Sequence, residues 1–197
     1  MTRVTIVISD VMRPVTFEWI AQSAIGRDFD LSFILMNPGT SPFEENLRAM
    51  GCEVHFVPYR GKKDLPRAIA HLTRIFKKKK PDVVHTHLVD ANIAGLTAAR
   101  ICGVKRRIHT RHHSNPHHLT QRHALIYDHW VNFLSTEIVV ASDVVRDVLT
   151  QMESVSESKL RRVSFGIKLN EFDSVTPAQI QHQRQKHGAS GKQPVIG

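Results

Sequence analysis

Hydrophobic positions along this 197-residue chain fall into two patterns, short dense runs and sparser helical repeats. Arg3 to Ser9, Leu31 to Met36 and Cys52 to Pro58 are dense runs bounded by turn residues. They predict strands buried on both faces. Between them, Phe17, Ile20, Ala21 and Ala24 recur at helical spacing behind Pro14 or Val15, and Phe43 to Met50 reads as a helix ended by Gly51. Leu65, Ile69, Leu72 and Phe76 then mark one face of a longer amphipathic helix.

The stretch Pro81 to Ser114 organises the chain. Asp82 to Thr86 is a Val-rich strand. Asp90 to Cys102 is an Ala-rich helix whose Ala94, Gly95, Ala98 and Ala99 permit close packing on a sheet, and Gly103 supplies the residue tolerant of positive φ that ends it. Arg107 to Thr110 begins the fifth strand. Asn115 and Pro116 suit a helix start. Leu119, His123, Ile126, Trp130 and Phe133 share a face of that helix, on which His123 reads as a packed histidine. Glu137 to Ala141 is a sixth strand, Ser142 caps a helix with Val145, Val148, Leu149 and Met152 inward, and Arg161 to Ser164 is a short seventh strand. Strands alternating with helices predict a doubly wound parallel α/β sheet.

Composition narrows the picture. A hydrophobic fraction of 41% and a charged fraction of 23% are ordinary for a water-soluble globular domain. The first residues, MTRVTIVISD, start a strand at once and lack a signal-peptide pattern, and no apolar run approaches a membrane span. Cys52 and Cys102 read as two packed thiols of a reduced, cytoplasmic chain. The formal charge of +9 favours anionic partners such as nucleotide diphosphates or acidic headgroups. Aromatics are not interleaved with the basic residues, so nucleic acid is not expected. Lys63, Arg67, Arg74 and Lys78 form a basic stripe that reads as a solvated face, or as a peripheral contact with the inner face of a membrane.

The candidate chemistry lies at the carboxyl ends of the fourth and fifth strands, the edge where open α/β sheets bind ligands. One tip is His85-Thr86-His87, with both histidines on one face, and the other is Thr110-Arg111-His112-His113-Ser114. His85 sits within the apolar run as a core histidine, while His87 is placed to meet substrate hydroxyls. His109, His112, His113, His117, His118 and His123 are crowded together, but strand alternation and Pro116 keep them from converging as zinc ligands, so no metal is expected. Asp90 and Ser142-Asp143 occupy two helix starts, which suits hydroxyl groups better than a diphosphate.

PDVVHTHLVDANIAGLTAAR followed by RIHTRHH resembles the middle of the amino-terminal domain of GT-B glycosyltransferases of family 4, GT4. The strand and capped helix from Glu137 to Leu149 and the exit segment Lys159 to Phe172 are similar to the same family. The resemblance implies a Rossmann-like acceptor-binding domain over residues 1–175, the amino-terminal half of a GT-B fold. Residues 176–197 would be a linker and the start of a nucleotide-sugar-binding domain, since 178–191 are polar and Gln-rich and Pro194 to Gly197 reads as a new strand. It further implies a retaining, metal-independent hexosyl transfer from a nucleotide diphosphate sugar to a hydroxyl acceptor, with no cofactor. His112 matches the family's histidine near the anomeric centre of the donor, with His113 as its fallback. Asp10, Arg13, His87 and Asp90 would line the acceptor side. This chain departs from the family in having no glycine between Ser9 and Pro14, and in carrying Phe165 and Lys168 in the exit segment. Residues 1–197 alone are expected to be nearly inactive. Two other readings stand beside this one. A sugar-nucleotide 2-epimerase of the same shape would turn over without an acceptor. A non-catalytic basic α/β module would bind acidic vesicles and survive loss of His112.

Overall fold

Seven strands form one all-parallel sheet in the computed structural model: β1 (Thr2–Ser9), β2 (Phe29–Asn37), β3 (Glu53–Pro58), β4 (Val83–His87), β5 (Arg106–Arg111), β6 (Glu137–Val140) and β7 (Leu160–Arg162). Their order is β3-β2-β1-β4-β5-β6-β7, a Rossmann-like arrangement. The structure describes residues 1–9, 15–24, 27–114, 119, 124–164, 166, 168–169 and 175–189. The chain divides into two compact units, 1–164 and 165–197.

Helices α1 (Val15–Ala24) and α2 (Pro42–Ala49) cover one face of the sheet, where Phe17, Ala21, Phe43 and Leu47 meet Ile6, Ile8, Phe33 and Leu35. Helices α3 (Leu65–Lys79) and α4 (Val89–Ile101) cover the opposite face over Val7, Ile34, Met36 and Val84. Helix α5 (Leu125–Leu134) joins this second layer, with Val131 and Leu134 against Ile93 and Leu96 of α4. Helix α6 (Asp143–Asp147) runs on as a π turn over Val148–Met152, and Val145 and Leu149 pack on Ile138 and Val140. Ser41 Oγ accepts from Glu44 N at the start of α2, and Ser142 Oγ accepts from Val145 N at the start of α6. Gly51 (φ 80°) and Gly103 (φ 70°) take the left-handed conformation where α2 and α4 end.

The small residues of α4 bring it close to the sheet. A Cβ built on Gly95 would lie 2.7 Å from Thr86 Cγ2 and 3.6 Å from Val7. Gly95→Ala should therefore destabilise, although alanine favours an exposed helix by about 1 kcal/mol. Overpacking of this kind costs about 1–3 kcal/mol. Thermal unfolding tests this, and a variant at least as stable as the parent would show that α4 can shift away from β4.

One expectation is overturned. The apolar face shared by Ile126, Trp130 and Phe133 is not the packed face of α5: these side chains are 70%, 45% and 70% exposed, and Leu119 is 72% exposed. The face turned inward carries Val131 and Leu134 together with Asp128 and Asn132, both buried. Two polar side chains engaged in an internal network reverse the orientation that hydrophobicity suggests. His123 lies outside the described residues. At the next helix Val145, Val148 and Leu149 are inward as expected, whereas Met152 is exposed.

In the second unit, helix α7 (Pro177–Lys186) starts with a capping box of Thr176 and Gln179, and all its residues are exposed. Pro194 to Gly197 lie outside the described residues. Among the described residues, no helix is long and apolar enough to cross a membrane.

Candidate functional site

The strand order reverses between β1 and β4, so a crevice opens at their carboxyl ends. Ser9 closes β1 at this crevice. Its Oγ accepts from Ala91 N at 3.1 Å, which occupies one of the amides at the start of α4. Between β4 and α4 the chain turns through Leu88, which has φ 71° and ψ 157°. A leucine there carries a backbone strain of about 1–3 kcal/mol. Asp90 follows in the first turn of α4, partly buried. Burial, and secondly the Asp90 carboxylate, hold the Tyr59 phenol protonated, above its ordinary range.

Three imidazoles form a column across this edge. Strand period places His85 and His87 on one face, their ring centroids 4.2 Å apart. His85 Nε2 bonds Thr110 Oγ1 of β5 at 2.8 Å. His87 is 4% exposed, with its ring edge-on to Phe17 at 4.7 Å. Its Nδ1 lies 3.1 Å from Nε2 of His112, which follows the end of β5 and keeps an exposed edge. His87 Nε2 is buried without a hydrogen-bond partner. A buried N–H left unpaired is costly, so the His87 proton belongs on Nδ1, where it donates to His112 Nε2. That assignment puts the proton of neutral His112 on Nδ1, the nitrogen not bonded to His87. On the opposite face His109, fully buried, follows the same logic: Ser135 Oγ donates to Val131 O at 2.7 Å and accepts from His109 Nδ1 at 2.8 Å.

These imidazoles are held neutral. Burial, then the neighbouring His112, lowers His85 to about 4. Burial, then Arg111, lowers His109 to about 3. Burial moves His87 well below the ordinary value and also lowers His112. In the unfolded chain these groups take up protons below about pH 6.5, and in the folded chain only at lower pH. The stability they contribute is complete above about pH 6.5 and is lost as pH falls from there through the folded values. Each such group costs about 1.4 kcal/mol per pH unit in that window. Tm should therefore drop clearly between neutral pH and about pH 5. A Tm that stays level or rises on acidification would contradict this account.

The fifth strand also carries a buried charge network that the sequence pattern does not announce. Arg111 is 3% exposed. Its Nη1 donates to Asp128 Oδ1 at 2.6 Å and its Nη2 to Glu153 Oε1 at 2.7 Å. Asn132 Nδ2 donates to the other Glu153 oxygen at 2.7 Å. Arg111 Nε donates to the His113 carbonyl at 3.1 Å, and Nη2 lies 3.4 Å from the Ser114 carbonyl. One guanidinium thus ties β5, α5 and the turn after α6 together, and grips the backbone carbonyls of His113 and Ser114.

The structure therefore brings His87 and His112 together, places Asp90 at the adjoining helix start, and leaves His113 partly buried beside them. Asp10 and Arg13 lie outside the described residues, as do His117 and His118. Ser9 and Leu88 carry no simple sequence signal, and Thr110 and Arg111, which the sequence places at the tip of the fifth strand, have partners there that it does not announce. Among the described residues, no group of three or more His, Cys, Asp or Glu side chains is placed to hold a metal ion.

Comparison with known proteins gives this edge a context. The profile of Glycosyltransferase Family 4 matches residues 19–171. The chain belongs to this family. A curated relative, the UDP-Gal:alpha-D-GlcNAc-diphosphoundecaprenol alpha-1,3-galactosyltransferase of Escherichia coli, is 24% identical over 155 residues, which is 73% of this chain and 38% of the relative. The fold of Anabaena HepE in complex with UDP-glucose is similar, with a TM-score of 0.69 at 16% identity over 94% of this chain and 50% of that one. So is the UDP-GlcNAc 2-epimerase of Neisseria meningitidis bound to UDP-GlcNAc, with a TM-score of 0.66 at 14% identity over 94% of this chain and 53% of that one. This family 4 chain spans 38% of the curated relative and about half of each of these structures. Its sheet is that of the amino-terminal domain of a GT-B glycosyltransferase.

Proposed function

We propose that this chain is the acceptor-side half of a retaining hexosyltransferase that moves a sugar from a UDP-sugar to a hydroxyl of a lipid-linked acceptor. The carrying observation is His112, kept neutral by burial and hydrogen-bonded to His87 at the crevice, in a chain that belongs to family 4. The E. coli relative acts, by its name, on a diphosphoundecaprenol-linked sugar, and HepE was captured with UDP-glucose. In the reaction the bond from the anomeric carbon to the donor diphosphate breaks. A bond to the acceptor oxygen forms on the same face, and the acceptor hydroxyl gives up its proton to the oxygen of the leaving diphosphate. Positive charge develops on the sugar ring and negative charge on the leaving diphosphate. The Nδ1–H of His112 donates to a sugar hydroxyl and fixes its orientation, for which small misplacements are costly. No metal takes part in this reading.

Asp90 and His113 would bind acceptor hydroxyls, together with Asp10 and Arg13. His87 would act through His112. The start of α4 already has its Ala91 amide bonded to Ser9 and a carboxylate in its first turn, which suits hydroxyls better than a diphosphate. A second domain, following a boundary near residue 175, would hold the nucleotide. Residues 1–197 alone would then show almost no transfer.

The test is a panel of UDP-sugars incubated with the full-length protein, with and without a polyprenyl-diphosphate-sugar acceptor. Product that appears only with acceptor supports transfer. Epimerisation of the UDP-sugar without any acceptor would favour the second reading, which the fold shared with the Neisseria epimerase supports. Brisk transfer by residues 1–197 alone would refute the division of labour between two domains.

A further inference from the structure

Helix α5 turns an apolar ridge outward. Ile126, Trp130 and Phe133 follow one another at helical spacing on its exposed side, with the two aromatic rings 6.0 Å apart. The Trp130 Nε1–H donates to Thr97 Oγ1 of α4 at 3.2 Å, so the polar atom of the indole is satisfied within the protein. Cations border the ridge. The Lys62 ammonium sits 4.6 Å above the Tyr127 ring at one end, and exposed Arg100 lies one helical turn beyond Thr97. On the far side of α4, the exposed basic stripe of α3 lines a groove of about 470 Å³ with His55 and His71. Helices α3, α4 and α5 form one layer, so ridge and cations belong to one surface.

We propose that this surface docks on an anionic lipid bilayer, with the α5 ridge entering the headgroup boundary and the flanking cations meeting acidic headgroups. An apolar stripe of aromatic and aliphatic side chains beside Lys and Arg is the composition that suits an interfacial helix. Each cation near such a surface adds roughly 1 kcal/mol of attraction. A second copy of the chain fits less well. A two-fold interface would set the same cationic rim against itself, and like charges facing each other are costly. Helix α5 begins at the carboxyl edge of the sheet, so the docked surface borders the crevice that holds His112. The docking thus deepens the lipid-linked acceptor reading, although bilayer binding itself does not depend on sugar transfer.

The experiment uses the 197-residue chain with Trp19→Phe, which leaves Trp130 as the only indole. It compares neutral phosphatidylcholine vesicles with vesicles rich in phosphatidylglycerol. The chain should sediment with the acidic vesicles only, and Trp130 emission should shift to the blue. Phe133→Asp should weaken binding about tenfold or more, from lost burial of one aromatic side chain. The pair Arg67→Glu and Arg74→Glu should weaken it as strongly at low salt and less at high salt. Phe133, Arg67 and Arg74 are exposed, so a Tm unchanged from that of the Trp19→Phe protein separates lost docking from lost folding. Absence of vesicle binding, or full binding by Phe133→Asp, would overturn the proposal. So would a dimer that Phe133→Asp dissociates, because the ridge would then belong to a second copy. Vesicle binding by a full-length protein with no transferase activity would refute sugar transfer and leave the docking intact.

Discussion

Arg111→Met should lower the stability of the domain by about 3–5 kcal/mol, because it leaves the buried carboxylates of Asp128 and Glu153 without their guanidinium. For a domain of this size that is a fall in Tm on the order of 10 °C. The effect should reach the site as well as the core, since Arg111 also holds the carbonyls of His113 and Ser114. Arg111→Lys should rescue little of the loss, because an ammonium cannot span two carboxylates and two carbonyls as a planar fork does. The triple variant Arg111→Met, Asp128→Leu, Glu153→Leu separates pair from penalty. If the loss comes from unpaired buried charge, the triple variant should recover much of it. Urea or thermal unfolding of the set decides the matter, and an Arg111→Met protein within about a degree of the parent would show that water reaches the two carboxylates.

The second large effect concerns the crevice. In the full-length enzyme, His112→Ala should lower kcat by about a hundredfold, as expected when a group that orients the reacting sugar is removed, and should cost about 1–3 kcal/mol of stability at most, for the buried His87 donor it deprives of its acceptor. His87→Ala should act more weakly and differently. It removes the donor to His112 Nε2 and opens the packed site between Phe17 and His85. Water admitted there would relieve the burial that lowers His112, so the acid limb of the pH–rate profile should move toward higher pH. A merely structural role for His87 would change Tm and leave the limb where it was. Unchanged kcat in His112→Ala would remove the orienting role altogether, and the proposed chemistry with it.

The fold was largely legible because buried parallel strands leave dense Val and Ile runs, as in Val83 to Val84 and Ile138 to Val140, and because Gly51 and Gly103 mark helix ends by their backbone freedom. The position of His112 at a strand tip was legible from the family resemblance of RIHTRHH, since the fifth strand itself carries one aliphatic residue, Ile108. What was not legible depends on partners distant in sequence. Nothing local distinguishes Arg111 from a surface arginine, since its two carboxylates lie 17 and 42 residues away. The same network draws Asp128 and Asn132 inward, which turned the apolar stripe of α5 to solvent against the hydrophobic pattern. Ser9 reads as the end of a strand, and its bond to Ala91 follows from a parallel pairing across 82 residues. Leu88 at positive φ follows no rule of local preference. It is imposed where β4 must turn into α4 beside the crevice.

The placement of β1 between β2 and β4 has a consequence during biosynthesis. β1 and β2 are neighbours in sequence, yet the other edge of β1 waits for Val83 to His87, made roughly seventy residues later. At a translation rate of about 5–20 residues per second, that edge stays unpaired for several seconds after β1 leaves the ribosome. Its open amides and carbonyls, on a strand as apolar as Ile6-Val7-Ile8, are then a template for another nascent chain. A codon-level slowdown before residue 83 should lengthen that interval and lower the yield of folded protein, while chaperone cover of the first half of the sheet should restore it.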